Sequence, residues 1–241
     1  SGNCLLLKVI SNIEYLYKPI ISKIIQFPTS KNVLFKLCKH HFNELFSFLL
    51  SDCISKDNFI LFKILNENGQ NLLHCCCKTN NFKALQTILS ILNKEENVPK
   101  IYHDQKIIFL NQVDFTDFTP LKVACDTSSE DCIELLLDQP DIDPNIRQPI
   151  FPLLDYSNVH LLEKFLNNPR FSISSTPKIL QKVIDLNLSE KVLNLFLEYE
   201  KMTTEVLMVA LKSILDSKLY TNLHFQKMVK TIDLTYQNKK G

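Results

Sequence analysis

Two stretches of this 241-residue chain superimpose on one another: Asn68-Gly69-Gln70-Asn71-Leu72-Leu73-His74-Cys75-Cys76 and Asp117-Phe118-Thr119-Pro120-Leu121-Lys122-Val123-Ala124. Each is followed by a polar break and a second apolar run, ending in Ile88-Leu89 and in Ile133-Glu134-Leu135-Leu136-Leu137. Self-similarity of this kind constrains a fold strongly, because one short unit cannot cover its own apolar face and needs stacked neighbours to do so. The chain is therefore expected to fold as an array of like units.

The unit is a pair of helices. Apolar residues recur at three-and-four spacing in Leu34, Leu37 and Cys38, then in Phe42, Leu45, Phe46, Leu49 and Leu50, which predicts two helices joined at His40-His41. Leu72, Leu73, Cys76 and Cys77 followed by Phe82, Leu85, Ile88, Leu89 and Leu92 repeat the figure across a break at Asn80-Asn81. In the third pair Thr119-Pro120 places an N-cap before a proline at the first helical position, where the missing N–H costs nothing. Its second helix opens on Thr127-Ser128-Ser129-Glu130, a capping-box spacing.

Shorter or less regular pairs are expected over 152–156 with 159–166, 177–186 with 189–200, and 204–215 with 219–232. Helices are also expected over 4–17 and 19–27. Of three glycines only Gly69 is interior, so the turns must use residues such as Asn and Asp that tolerate a left-handed backbone. The expected fold class is all-α.

A period of about 33 residues carrying T-P-L-H-x-A marks one repeat family. The two superimposed stretches resemble the ankyrin repeat, most specifically over 66–92 and 114–145. Phe151-Pro152-Leu153 follows Thr119-Pro120-Leu121 by 32 positions (151 − 119), and Asp141-Ile142-Asp143-Pro144-Asn145 lies where the family's connecting hairpin begins. Asn71 to Thr119 spans 48 (119 − 71), so about 15 residues are inserted relative to the period. The polar segment 93–104 accounts for them.

The pattern departs from the family at Asn71, where threonine is usual, at Lys122, where histidine is, and at Asp117, where glycine is. Those losses point to less regular stacking. The resulting organisation is a helical cap over 1–31, ankyrin-like repeats over 32–175 with an insertion near 93–110, and helical pairs over 176–241 that continue or cap the solenoid.

The resemblance implies that His74 bridges hairpins by hydrogen bonds and that the small side chains Cys76, Cys77, Ala124 and Cys125 line the seam between first helices. It also implies a binding surface made of hairpin tips and first-helix faces, which grows with each repeat. On this chain that surface maps to Glu67, Asn68, Gln70, Lys78 and Thr79, then Phe115, Thr116, Phe118, Asp126 and Thr127, then Arg147, Gln148, Ile150 and Asn158. Phe115 and Phe118 have a competing reading as packing against the insertion. The implied function is the binding of a protein or peptide partner, without catalysis.

Other chemistries fit less well. Cys38 with His40 and His41, or Cys75-Cys76-Cys77 with His74, would supply soft metal ligands, but consecutive cysteines on a helix point in different directions and no second spaced pair follows. Cys53, Cys125 or Cys132 beside His103, His160 or His224 carries no local signature of a thiol nucleophile. One interior glycine leaves no phosphate-binding loop. No catalytic residue, metal or cofactor is expected.

The formal charge of +1, with acids and bases mixed throughout, does not favour nucleic acid as a partner. Apolar runs such as 5–10 and 46–50 are far shorter than the roughly 20 residues a membrane span needs. Ser1-Gly2-Asn3 does not read as a leader. Eight cysteines scattered in apolar segments fit free thiols in a reducing compartment, hence an intracellular location, cytoplasmic or nuclear, including that of a secreted effector inside a host cell. No oligomeric state is signalled. The alternative is a region of a pathogen effector or larger enzyme whose helices over 177–232 carry a separate activity.

Overall fold

A computed structural model describes residues 30–56, 60–94, 103–156 and 158–172, with single positions from 179 to 230. The cap expected over 1–31 falls almost wholly outside the described residues. So do the pairs expected beyond 176, where Ile179, Val192 and Phe196 are nonetheless buried. The chain divides into two compact units, 1–142 and 143–241. Among the described residues there is no strand.

The first unit holds three hairpins: α1 Ser30–Lys39 with α2 Asn43–Lys56, α4 Leu72–Lys78 with α5 Phe82–Leu92, and α7 Pro120–Asp126 with α8 Glu130–Leu137. Two further helices, α3 Ile60–Lys63 and α6 His103–Asn111, lie between them. Short helices of 7 residues such as α4 are not stable alone, so packing holds them. The first helices form one row, α1 on α4 and α4 on α7, and the second helices another, α2 on α5 and α5 on α8. Leu37, Phe46, Leu50, Leu72, Leu73, Leu85 and Ile88 fill the interior between the rows, fully buried. The seam of the first row is narrow, and Cys76, Cys77, Ala124 and Cys125 there are each 0% exposed.

All three hairpins turn the same way without glycine. His41, Asn80 and Ser128 take left-handed φ of 58°, 50° and 52°. In each case this residue's N–H and the next reach back to the last turn of the first helix, as in His41 N to Cys38 O and Phe42 N to Leu37 O, a Schellman closure of the carbonyls a helix leaves open. Asn80 had been expected in this role; His41 and Ser128 had not.

The capping box expected at Thr127 does not form. Ser129, the residue before α8, makes no side-chain cap, and its hydroxyl donates instead to the Cys77 carbonyl at 2.8 Å. The bond ties the hairpin to its neighbour, and Thr127 closes α7 through Val123 O at 2.9 Å while its hydroxyl also lies 3.2 Å from Cys77 O. Thr119 caps α7 as expected, accepting from Lys122 N at 3.1 Å, with Pro120 following.

The segment read only as a polar insertion contains α6. Its periodicity is weak because just Phe109 and Leu110 are buried, so no apolar stripe marked it as helical. Phe109 meets the ring of Phe62 on α3 edge-on at 5.5 Å, its carbonyl accepts from Asn71 Nδ2 at 2.8 Å, and Lys106 pairs with Asp141 at 2.9 Å. Residues 95–102, the centre of the expected insertion, lie outside the described residues.

In the second unit α9 Ile150–Tyr156 and α10 Val159–Leu166 form a hairpin around Leu153, Leu154, Leu161, Leu162 and Phe165. The alignment of Phe151-Pro152 on Thr119-Pro120 had put Phe151 outside the helix. Instead α9 begins two residues before Pro152, which is tolerated in a first turn where no N–H partner is needed. Phe151 has no side-chain oxygen with which to cap. Asn158 caps α10 by accepting from Leu161 N at 3.2 Å.

Candidate partner-binding surface

The tips of the first unit are built by one device used twice. Asn66 Oδ1 accepts from the N–H groups of Asn68 and Gln70, both at 2.9 Å, and Asp114 Oδ1 accepts from those of Thr116 and Phe118 at 2.9 and 3.1 Å. Short carboxylate and amide side chains curl the chain in this way because they bond their own backbone two residues on. The penultimate residue of each tip is left-handed, Gly69 at φ 72° and Asp117 at φ 67°. Asp117 thus keeps the backbone form that glycine usually supplies, and the departure noted in the sequence changes little locally.

The two tips are tied together. Gln70 Nε2 donates to Asp114 Oδ2 at 2.8 Å, and Phe115 N donates to Asn68 O at 3.0 Å. Burial raises the Asp114 carboxyl, but bonds from Thr116, Gln70 and the Phe118 and Thr116 backbone outweigh it and hold the group at about 2. His74 completes the link: Nε2 lies 2.9 Å from Phe118 O, and Nδ1 faces Asn71 N at 3.3 Å and Asn71 Oδ1 at 2.7 Å. Burial lowers its pKa, and the carbonyls of Phe118 and Gln112 with the Asp114 charge only partly oppose that. In the neutral ring a proton on Nε2 meets the Phe118 carbonyl of the next repeat, and Nδ1 is then the acceptor for Asn71 N. The bridging role expected of His74 is what the geometry shows.

Within the first unit, Glu67, Asn68, Lys78, Thr116 and Asp126 are exposed. Phe115 is 81% exposed, with its ring laid against Gly69, where a Cβ would sit 2.7 Å from two ring carbons. Phe118 is half-buried with Lys122 Nζ 4.8 Å over its ring, and Thr79 is half-buried with its hydroxyl on Cys75 O at 2.8 Å. Gln70, expected to face a partner, is 9% exposed and spends its amide on Asp114. It belongs to the scaffold of the tips.

In the second unit Arg147 is exposed and Gln148 half-buried, on consecutive left-handed residues at φ 59° and 52°. Ile150, expected on the surface, is 0% exposed. The early start of α9 turns it into the core, where its apolar side chain belongs. Asn158 is a helix cap.

Cys38 is fully buried while His40 and His41 are exposed, so these three do not converge. Cys125 and Cys132 are 0% exposed, and burial pushes the Cys125 thiol well up, the opposite of what a nucleophile needs. Sequence reasoning missed Lys36 and Lys39, both exposed on α1. The 39-position step from Leu34 to Leu73, carried along α1, would have set Lys39 on Lys78.

A family model for ankyrin repeats matches residues 34–148 in three copies. Residues 34–148 are ankyrin repeats. No curated protein and no solved structure matches the chain. The match covers all three hairpins of the first unit and both tips, so the ankyrin segment includes α3 and α6. Ankyrin repeats are in general protein–protein interaction modules, and no helix among the described residues is long and apolar enough to cross a membrane.

Proposed function

We propose that this ankyrin segment is a non-enzymatic module that holds a protein or peptide partner on the tips and first-helix faces of its first unit. The observation that carries this reading is Phe115, an aromatic side chain 81% exposed on a tip whose own backbone is bonded to the neighbouring tip. A large apolar group on a preorganised base loses little entropy on binding, which is the make-up of an interface hot spot. Glu67, Asn68, Thr116 and Asp126 would form the polar rim. The described cysteines are all free, which supports an intracellular location.

The test is Phe115→Ala, with partners captured by wild-type protein and affinity then read by calorimetry. A loss of roughly tenfold or more, the usual size for an aromatic anchor, with an unchanged unfolding midpoint is expected. Full affinity in the variant would place the contact elsewhere.

A further inference from the structure

The first two hairpins carry a charge pattern that the tips do not. Helices α1 and α4 contain no acidic residue, and their outward lysines, Lys36, Lys39 and Lys78, are exposed. None of the three has a carboxylate partner among the described residues.

Their register is set by the hairpin bonds. Cys38 O and Cys77 O are the carbonyls that accept from the next hairpin, from Asn81 and from Ser129, so these two residues are equivalent in successive repeats. Lys39 and Lys78 follow them directly and are equivalent too, on helices packed side by side. Lys36 lies one turn earlier on the α1 face that carries Lys39.

Between the lysines lies an apolar floor. Phe35 and Cys75 are both half-buried, and the Cys75 thiol reaches Phe35 O at 3.7 Å. Cys75 lies one turn before Lys78 on α4, and Phe35 directly precedes Lys36 on α1. Pairing with Cys38 and burial push the Cys75 thiol up, whereas the charges of Lys39 and Lys78 act against that rise. At the equivalent place in the third repeat stands Asp126, which ends the basic row.

We propose that the α1–α4 face is an electrostatic docking surface for an acidic segment of a protein partner, its carboxylates meeting Lys36, Lys39 and Lys78 and an apolar side chain resting on Phe35 and Cys75. This rests on the reading of the segment as an interaction module and adds the chemistry of what it holds. Three unpaired cations around an apolar floor suit a short acidic peptide. A nucleic acid would require a longer cationic track along its phosphates, and the row changes sign after two repeats.

The probe is a fluorescent Glu-rich peptide carrying leucines, titrated by anisotropy against the whole chain. A Lys-for-Glu counterpart and a single-stranded oligonucleotide serve as comparisons. Wild-type protein should bind the acidic peptide with an affinity that falls as salt rises. The triple variant K36E/K39E/K78E should bind it about tenfold more weakly, the scale of three exposed ion pairs. K83E on α5 should leave binding unchanged, and far-UV circular dichroism should be the same for all three proteins.

Equal binding by the triple variant, no binding of the acidic peptide by wild type, or tighter lysine-dependent binding of the oligonucleotide would each overturn the proposal. If the acidic peptide fails while Phe115→Ala still releases captured partners, the module reading stands and the charge assignment falls. If the peptide binds through the lysines while Phe115→Ala has no effect on captured partners, the assignment to the tips falls and the acidic docking face stands.

Discussion

Asn81 donates its side-chain amide to the carbonyl of Cys38 at 2.8 Å, joining two hairpins across 43 positions of chain. The same side chain accepts from Ala84 N at 3.2 Å as the N-cap of α5, so one residue closes a helix and locks it to its neighbour. One repeat later Ser129 makes only the inter-hairpin bond, to Cys77 O at 2.8 Å, and no cap.

Asn81→Ala therefore removes a cap and one of the two bonds to the Cys38 carbonyl, which keeps His41 N, and should cost about 2 kcal/mol. Ser129→Ala removes only the bond to the Cys77 carbonyl, which keeps Asn80 N and the Thr127 hydroxyl, and should cost less, about 1 kcal/mol. Urea unfolding followed by circular dichroism checks the order. Equal losses would mean that the Asn81 cap contributes nothing.

The buried His74 makes stability depend on pH. Its folded-state pKa lies below the ordinary histidine value of 6.5, so the unfolded chain takes up a proton first as pH falls. The contribution of the neutral ring is fully present above the unfolded value and is lost on acidification toward the folded one. Asp114, held at about 2 against 3.8 unfolded, keeps its contribution until pH drops below the unfolded value. The urea midpoint should thus decline between roughly pH 7 and 5, and His74→Gln should flatten that slope while lowering the midpoint at pH 7.

Gly69 is required twice over, for its φ of 72° and for the Phe115 ring that a Cβ would meet at 2.7 Å. Gly69→Ala should destabilise by about 1–2 kcal/mol through the backbone strain and the clash together. Removing the ring relieves only the clash. The double variant Gly69→Ala with Phe115→Ala should therefore recover part of the loss, and a double-mutant cycle measures that part. Strict additivity would show that the ring moves aside at no cost.

Phe109 tests whether α6 is structural. At 2% exposure and edge-on to Phe62, its truncation to alanine should cost about 3–5 kcal/mol. An insertion that merely decorated the surface would tolerate Phe109→Ala at a cost of about 0.5 kcal/mol or less, as judged by thermal unfolding.

The three hairpins of the first unit were legible because their signals are local: apolar residues at helical spacing, Thr119-Pro120 at a helix start, Asn80-Asn81 at a turn. The family resemblance followed from the same residues, since Asn71-Leu72-Leu73-His74 and Thr119-Pro120-Leu121 align with no knowledge of contacts. The candidate surface was legible only in part. Exposure of Glu67, Asn68 and Phe115 agrees with their places on the tips, but whether a polar residue faces outward or is consumed inside depends on what stands opposite.

That dependence marks what the tertiary structure alone decided. Gln70 looks like any polar tip residue until Asp114, 44 positions away, lies 2.8 Å from its amide. Ser129 reads as part of a capping box until the Cys77 carbonyl comes within reach of its hydroxyl. Ile150 becomes core because α9 starts two residues before Pro152. Helix periodicity and turn chemistry are written in neighbouring residues and so can be read along the chain. Which donor meets which acceptor across a seam is settled only when the hairpins stack.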